Sequence, residues 1–105
     1  LTDDYLDFTE KWTRMASTGH NETPVILKKD VIYYMITSGC TGWEPNEARS
    51  FKSNSIWGLW ETLGNPCIGK DTKLTFHSQS TYIFPVQGKK DQFIFMADRW
   101  KPESY

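Results

Sequence analysis

Apolar and polar residues change places in short runs along this chain, and no stretch keeps a sustained helical period, so the pattern predicts strands joined by turns. Thr23 to Leu27 is a short apolar run closed by Lys28-Lys29-Asp30, and Ile-Tyr-Tyr-Met-Ile-Thr follows at Ile32 to Thr37. Two β-branched and aromatic runs around a charged turn read as a hairpin. Ala48 to Lys52 predicts a weaker strand. Gly58 to Leu63 predicts another, with Trp60 and Thr62 alternating against Leu59 and Glu61, and Gly64-Asn65-Pro66 ends it. A polar loop through Gly69-Lys70-Asp71-Thr72 leads to Ser80–Val86 and Gln92–Ala97, strands flanking the turn Gly88-Lys89-Lys90-Asp91. Ahead of all these, Thr2 as N-cap with Asp3 and Asp4 behind it predicts a short helix. Lys11 to Met15 alternates weakly as a strand and ends in the turn-rich Ser17-Thr18-Gly19.

The second hairpin repeats the first. Glu22-Thr23-Pro24-Val25-Ile26-Leu27 lies over Gln79-Ser80-Thr81-Tyr82-Ile83-Phe84, and Tyr33-Tyr34-Met35-Ile36 lies over Phe93-Ile94-Phe95-Met96. The offset is 57 residues before the turn and 60 after it, so the second hairpin carries the longer turn. A repeat of roughly 50 residues holding about four short strands is the signature of a β-propeller blade. The expected fold is all-β: one complete blade at 21–64, the outer edge of a preceding blade at 1–20, and the start of the next at 65–105. Three consecutive repeats are the usual minimum for stability, and fewer than two are present, so the chain reads as a fragment.

Composition narrows the class. The chain has 105 residues, with Lys+Arg 12 against Asp+Glu 13 and a net charge of −1, which leaves no basic surplus for nucleic acid. The longest apolar stretch, Val31 to Ile36, is too short to span a bilayer, and the polar opening Leu1-Thr2-Asp3-Asp4 does not read as a signal peptide. Aromatic residues reach 15% in a chain of mean hydropathy −0.58, a load that suits β structure or a surface that stacks on flat ligands. Cys40 and Cys67 are too few for a disulfide framework or a metal site. They read equally as one bridge, worth about 3 kcal/mol on the entropic model, or as two small buried thiols.

Glu22 and Gln79 occupy equivalent repeat positions at the start of each hairpin, so both are expected to face one funnel. A carboxylic acid at the head of an apolar strand suits proton donation if burial raises its pKa; the plainer reading is that it satisfies backbone donors. The block Ser38-Gly39-Cys40-Thr41-Gly42-Trp43 returns the chain across one end of the blade, with Trp43 either a sugar platform or a cap on the core. Trp100 holds the matching position after the second hairpin and divides the same way. Trp57 and Trp60 are placed on an outer strand, packing between blades. Asn21-Glu22-Thr23 matches a glycosylation acceptor but runs into an expected buried strand. His20 and His77 lack partners at metal spacing, and neither metal nor cofactor is expected.

Several of these segments resemble glycoside hydrolase family 43, nearest its exo-β-1,3-galactanase branch. They are Glu22-Thr23-Pro24, the long block from Tyr33 to Asn46 (Tyr-Tyr-Met-Ile-Thr-Ser-Gly-Cys-Thr-Gly-Trp-Glu-Pro-Asn), Gly64-Asn65-Pro66-Cys67, Ser78-Gln79-Ser80-Thr81 and Phe95-Met96-Ala97-Asp98-Arg99-Trp100. The resemblance covers essentially the whole chain. It implies a five-bladed propeller that hydrolyses glycosidic bonds with inversion, acting on β-1,3-galactan or related plant side chains, secreted or periplasmic. It further implies Glu22 as general acid, Gln79 as replacement base or water-positioning residue, and Thr41 and Trp43 as sugar contacts. Asn21 stands where Arg is expected, Thr23 where Ala is common, and Leu59 where the usual Gly-Pro-Trp has Pro. The competing expectations are a sugar-binding propeller without catalysis, and an inactive piece that self-associates through exposed strand edges or blade faces.

Overall fold

The computed structural model describes residues 1–16, 19–101 and 103. Four strands form one antiparallel sheet in chain order: β1 (Asn21–Lys29), β2 (Ile32–Gly39), β3 (Arg49–Ser53) and β4 (Glu61–Gly64). A second sheet pairs β5 (Gln79–Pro85) with β6 (Phe93–Asp98), and a 3-10 segment at Thr72–His77 leads into it. The predicted hairpins are therefore present, and β5 lies against β1, so the two sheets meet along the first strand of each.

The turns follow from their residues. The first hairpin closes through Asp30-Val31, with Asp30 at φ 54, a left-handed position that aspartate tolerates better than most side chains. The second needs the longer 86–92 connection, where Gly88 and Asp91 take φ 74 and 62. Lys29 Nζ reaches the Asp91 carboxylate at 3.1 Å and ties the turn end of one hairpin to the other.

The core is small. Val25, Met35, Ala48 and Phe51 are its buried apolar residues among those described, and all four belong to or border the first sheet. Meanwhile Leu6, Phe8, Trp12, Leu59 and Ile68 are each at least 80% exposed. The accessible surface is 8298 Å², against about 6,000 Å² for a folded monomer of this mass. The radius of gyration, 15.3 Å, also exceeds the roughly 13 Å of a compact domain this long.

Three expectations are corrected. The N-terminal helix is instead a turn: Thr2 Oγ1 donates to Asp4, the Asp4 carboxylate accepts from Leu6 N, and Thr2 N bonds Asp7 O. Short polar side chains bonding nearby backbone compete with helix at this site. Lys11 to Met15 pairs with no strand among the described residues and is irregular. The Ser17-Thr18 part of the turn after it lies outside the described residues. The fourth strand begins at Glu61, not Gly58, because Ser53 Oγ bonds the carbonyls of Ser55 and Gly58 and holds that segment as a turn. Trp57 and Trp60 consequently sit in the β3–β4 connection, with Lys11 Nζ 4.3 Å from the Trp57 ring centre.

Candidate active site

The seam between β1 and β5 gathers most of the residues singled out from sequence. Both strands begin with a bulge: register shifts between Glu22 and Val25 on β1, and between Ser80 and Tyr82 on β5. Bulges recur beside active sites because the extra residue re-aims side chains. At the first bulge Thr23 takes φ 49, a left-handed conformation that is an outlier for a β-branched residue. Hydrogen bonds hold it there. Thr23 Oγ1 lies 2.9 Å from Ser38 Oγ on β2, and Ser80 Oγ donates to the Thr23 carbonyl at 2.5 Å and lies 3.3 Å from its hydroxyl. Ser38 and Ser80 are both buried.

The loop after β2 is shaped by Asn46. Its amide copies a strand backbone, accepting from Gly39 N at 2.7 Å and donating to Gly39 O at 2.9 Å. A Cβ on Gly39 would come within 3.1 Å of the Arg49 guanidinium and 3.4 Å of Asn46 Oδ1, which accounts for glycine there. Gly42, at φ 62, turns the chain so that its carbonyl accepts from Gln79 Nε2 at 2.7 Å. Trp43 then meets Trp100 with ring centres 5.2 Å apart and planes inclined by 34°. A cavity of about 90 Å³ lies here, lined among others by Thr23, Trp43, Gln79, Asp98 and Trp100.

Gln79, Trp43 and Trp100 are thus brought together, with Thr23 beside them. Glu22 is half-buried on β1, adjacent to Thr23, but does not itself line this cavity. Thr41 faces elsewhere: its hydroxyl donates to Glu44 O and accepts from Asn46 Nδ2, and it borders a larger open hollow with Asn46 and Arg49. Asn21 Nδ2 donates to Ala16 O, and its Oδ1 accepts from Thr37 and, at 3.0 Å, from Arg49 Nη1. A guanidinium does stand beside position 21, supplied from β3.

Sequence reasoning missed the hydroxyl cluster, Asn46 and Asp98. Asp98 pairs with Gln79 across the second hairpin and brings a carboxylate to the cavity. Its position one step before Arg99-Trp100 was the available signal. Among the described residues no group of three or more His, Cys, Asp or Glu converges as a metal site would require. His77 instead lies 3.6 Å from the Asp71 carboxylate.

Both thiols are free: Cys40 is exposed and Cys67 half-buried. Burial pushes the Cys67 thiol above its ordinary pKa, opposed in part by a hydrogen bond with Thr75. Since the thiolate is the nucleophile, Cys40 is expected to take up iodoacetamide before Cys67 at neutral pH. Peptide mass spectrometry on a time course checks the order.

No family model matches the chain, and no curated protein does. Solved structures do match. A GH43 β-1,3-galactosidase is 43% identical over 97% of this chain and 22% of its own, with a TM-score of 0.91. A second GH43 β-1,3-galactosidase, solved with galactodeoxynojirimycin, is 56% identical over 78% of this chain and 24% of its own, with a TM-score of 0.72. An exo-β-1,3-galactanase from Phanerochaete chrysosporium, solved with β-1,3-galactotriose, is 28% identical over 97% of this chain and 22% of its own, with a TM-score of 0.79. The chain therefore spans under a quarter of the length of each.

Proposed function

The chain belongs to glycoside hydrolase family 43, and from that premise we propose that it is a segment of the catalytic domain of an inverting exo-β-1,3-galactanase. The domain is a five-bladed propeller, in which 21–64 is a blade, 1–20 the outer edge of the one before and 65–105 the start of the next. The chain's coverage of its neighbours and the surplus surface, about 2,000 Å² beyond that of a compact monomer, support the segment reading. A polymer as large as galactan is met outside the cytoplasm, so the enzyme is secreted or periplasmic.

The observation that carries the functional reading is the cavity at the seam. Paired indoles offer flat apolar faces to the C–H surface of a sugar ring, while Gln79 and Asp98 offer polar partners to hydroxyls. Glu22 donates its proton to the leaving glycosidic oxygen as that bond breaks. Water attacks the anomeric carbon from the opposite face and gives up a proton to a group on that side. Inversion leaves room for the water by separating the two groups by about 6.5–9.5 Å. Gln79 positions this water: its Nε2 is committed to Gly42 O, which leaves Oε1 to accept from it. Thr41 shapes the loop that carries Trp43, and Trp43 and Trp100 hold the terminal sugar.

The full-length protein acting on β-1,3-galactobiose tests this directly. Proton NMR within the first minutes is expected to show α-galactose appearing ahead of its mutarotated β form. β-Galactose appearing first would overturn inversion, and binding without turnover would favour a sugar-binding propeller.

A further inference from the structure

The hydroxyl cluster at the seam has a specific geometry. Thr23 follows Glu22 directly, and Ser80 follows Gln79 directly. The bond from Ser80 Oγ to the Thr23 carbonyl therefore joins the backbone beside one candidate catalytic group to the backbone beside the other. It spans 57 residues of sequence and crosses between two sheets that share no strand ladder. On its other side Thr23 is held by Ser38 from β2. Three strands thus converge on one residue, and that residue is in a left-handed conformation that its β-branched side chain resists. Strain of this kind costs on the order of 1–3 kcal/mol and persists only where the surroundings over-determine it.

We propose that Ser80 and Thr23 form a clamp that positions Glu22, making both positioning residues for proton donation. The inference rests on the glycosidase reading above. The bulge decides where the strand aims Glu22, and Thr23 is the residue that makes the bulge. A relaxed Thr23 would return to ordinary extended backbone and rotate the residue before it. Ser80 prevents this by engaging the Thr23 carbonyl, an atom whose direction is set by the Thr23 backbone itself. Because Ser80 is anchored next to Gln79, the same bond fixes the spacing between the acid and the water-positioning amide, the quantity on which inversion depends.

The test uses the full-length protein with two substrates. Galactobiose has a poor leaving group and needs the acid; an aryl β-galactoside with a strongly acidic phenol leaves without it. Ser80→Ala is expected to lower kcat on galactobiose by roughly 10- to 100-fold, the scale of a 1 Å misplacement. KM should stay within about twofold, and the aryl substrate should lose less than about threefold, since the change falls on proton donation alone. Ser50→Ala serves as a structural control: Ser50 is buried and its hydroxyl bonds Gly64 O in the same sheet, away from the seam, so that variant should keep both activities. Should Ser80→Ala fail to fold, Ser80→Cys, which keeps the side chain's shape but replaces the hydroxyl with a much weaker donor to the Thr23 carbonyl, is expected to show the same selective loss. Wild-type kcat on galactobiose in a folded clamp variant, or equal losses on both substrates, overturns the clamp. If Glu22→Gln is impaired while Ser80→Ala is not, only the clamp falls; if the unaltered protein cleaves neither substrate, the glycosidase reading falls and takes the clamp with it.

Discussion

Replacing Glu22 with glutamine in the full-length protein is expected to reduce kcat on β-1,3-galactobiose by roughly 10²- to 10⁴-fold, the usual contribution of a positioned general acid. KM should change little. A protonated carboxyl stabilises the departing oxygen chiefly in the transition state, and glutamine keeps nearly the same shape and polarity in the ground state. Steady-state kinetics on the disaccharide, with kcat and KM determined separately for the wild type and Glu22→Gln, would reveal the difference. A variant that hydrolyses galactobiose at the wild-type rate would place the acid elsewhere.

The second large effect concerns the 105 residues alone. Expressed without the rest of the catalytic domain, they are expected to self-associate and to show no galactanase activity. Their surplus of about 2,000 Å² is the size of a stable protein–protein interface. Much of it is apolar: Leu6, Phe8 and Trp12 on one segment, Leu59 before β4 and Ile68 after it are almost wholly open to solvent. Strand edges add to the tendency. Among the described residues β4 has no strand beside it on one side, and neither does β6. Sedimentation velocity across a tenfold concentration range should show the weight-average mass rising, and galactose release should stay at background. A dilute monomer that cleaves β-1,3-galactan would overturn the segment reading.

Much of the architecture was legible in the chain because strands bring their own periodicity and turns their own residues. The 57-residue offset between Glu22 and Gln79 anticipated that two hairpins would start alike, and they do, down to a bulge at each start. The weak points were those where local side-chain bonds override pattern. Thr2, Asp3 and Asp4 make a good helix start in composition, yet the Thr2 hydroxyl and the Asp4 carboxylate close a tighter turn on themselves. Ser53 likewise turns the chain before β4 and delays a strand whose alternation begins earlier. At the site, Trp43, Gln79 and Trp100 were visible because large or unusual residues recur at matching repeat positions. Thr23, Ser38 and Ser80 were not visible. A serine hydroxyl leaves no periodic trace, and nothing local marks a threonine as left-handed: that conformation comes from a partner 57 residues away.

The seam between β1 and β5 also orders events in time. Every pairing inside the first sheet joins neighbours in sequence, the longest connection being the nine residues between β2 and β3. Those contacts close cheaply and early. Bringing Ser80 to Thr23 joins residues 57 apart, a contact more distant in sequence than any within the first sheet. The sheet can therefore stand before the site exists. As the chain leaves the ribosome β1 is laid down and paired first, and under the proposed clamp the aim of Glu22 is set only when the next hairpin arrives.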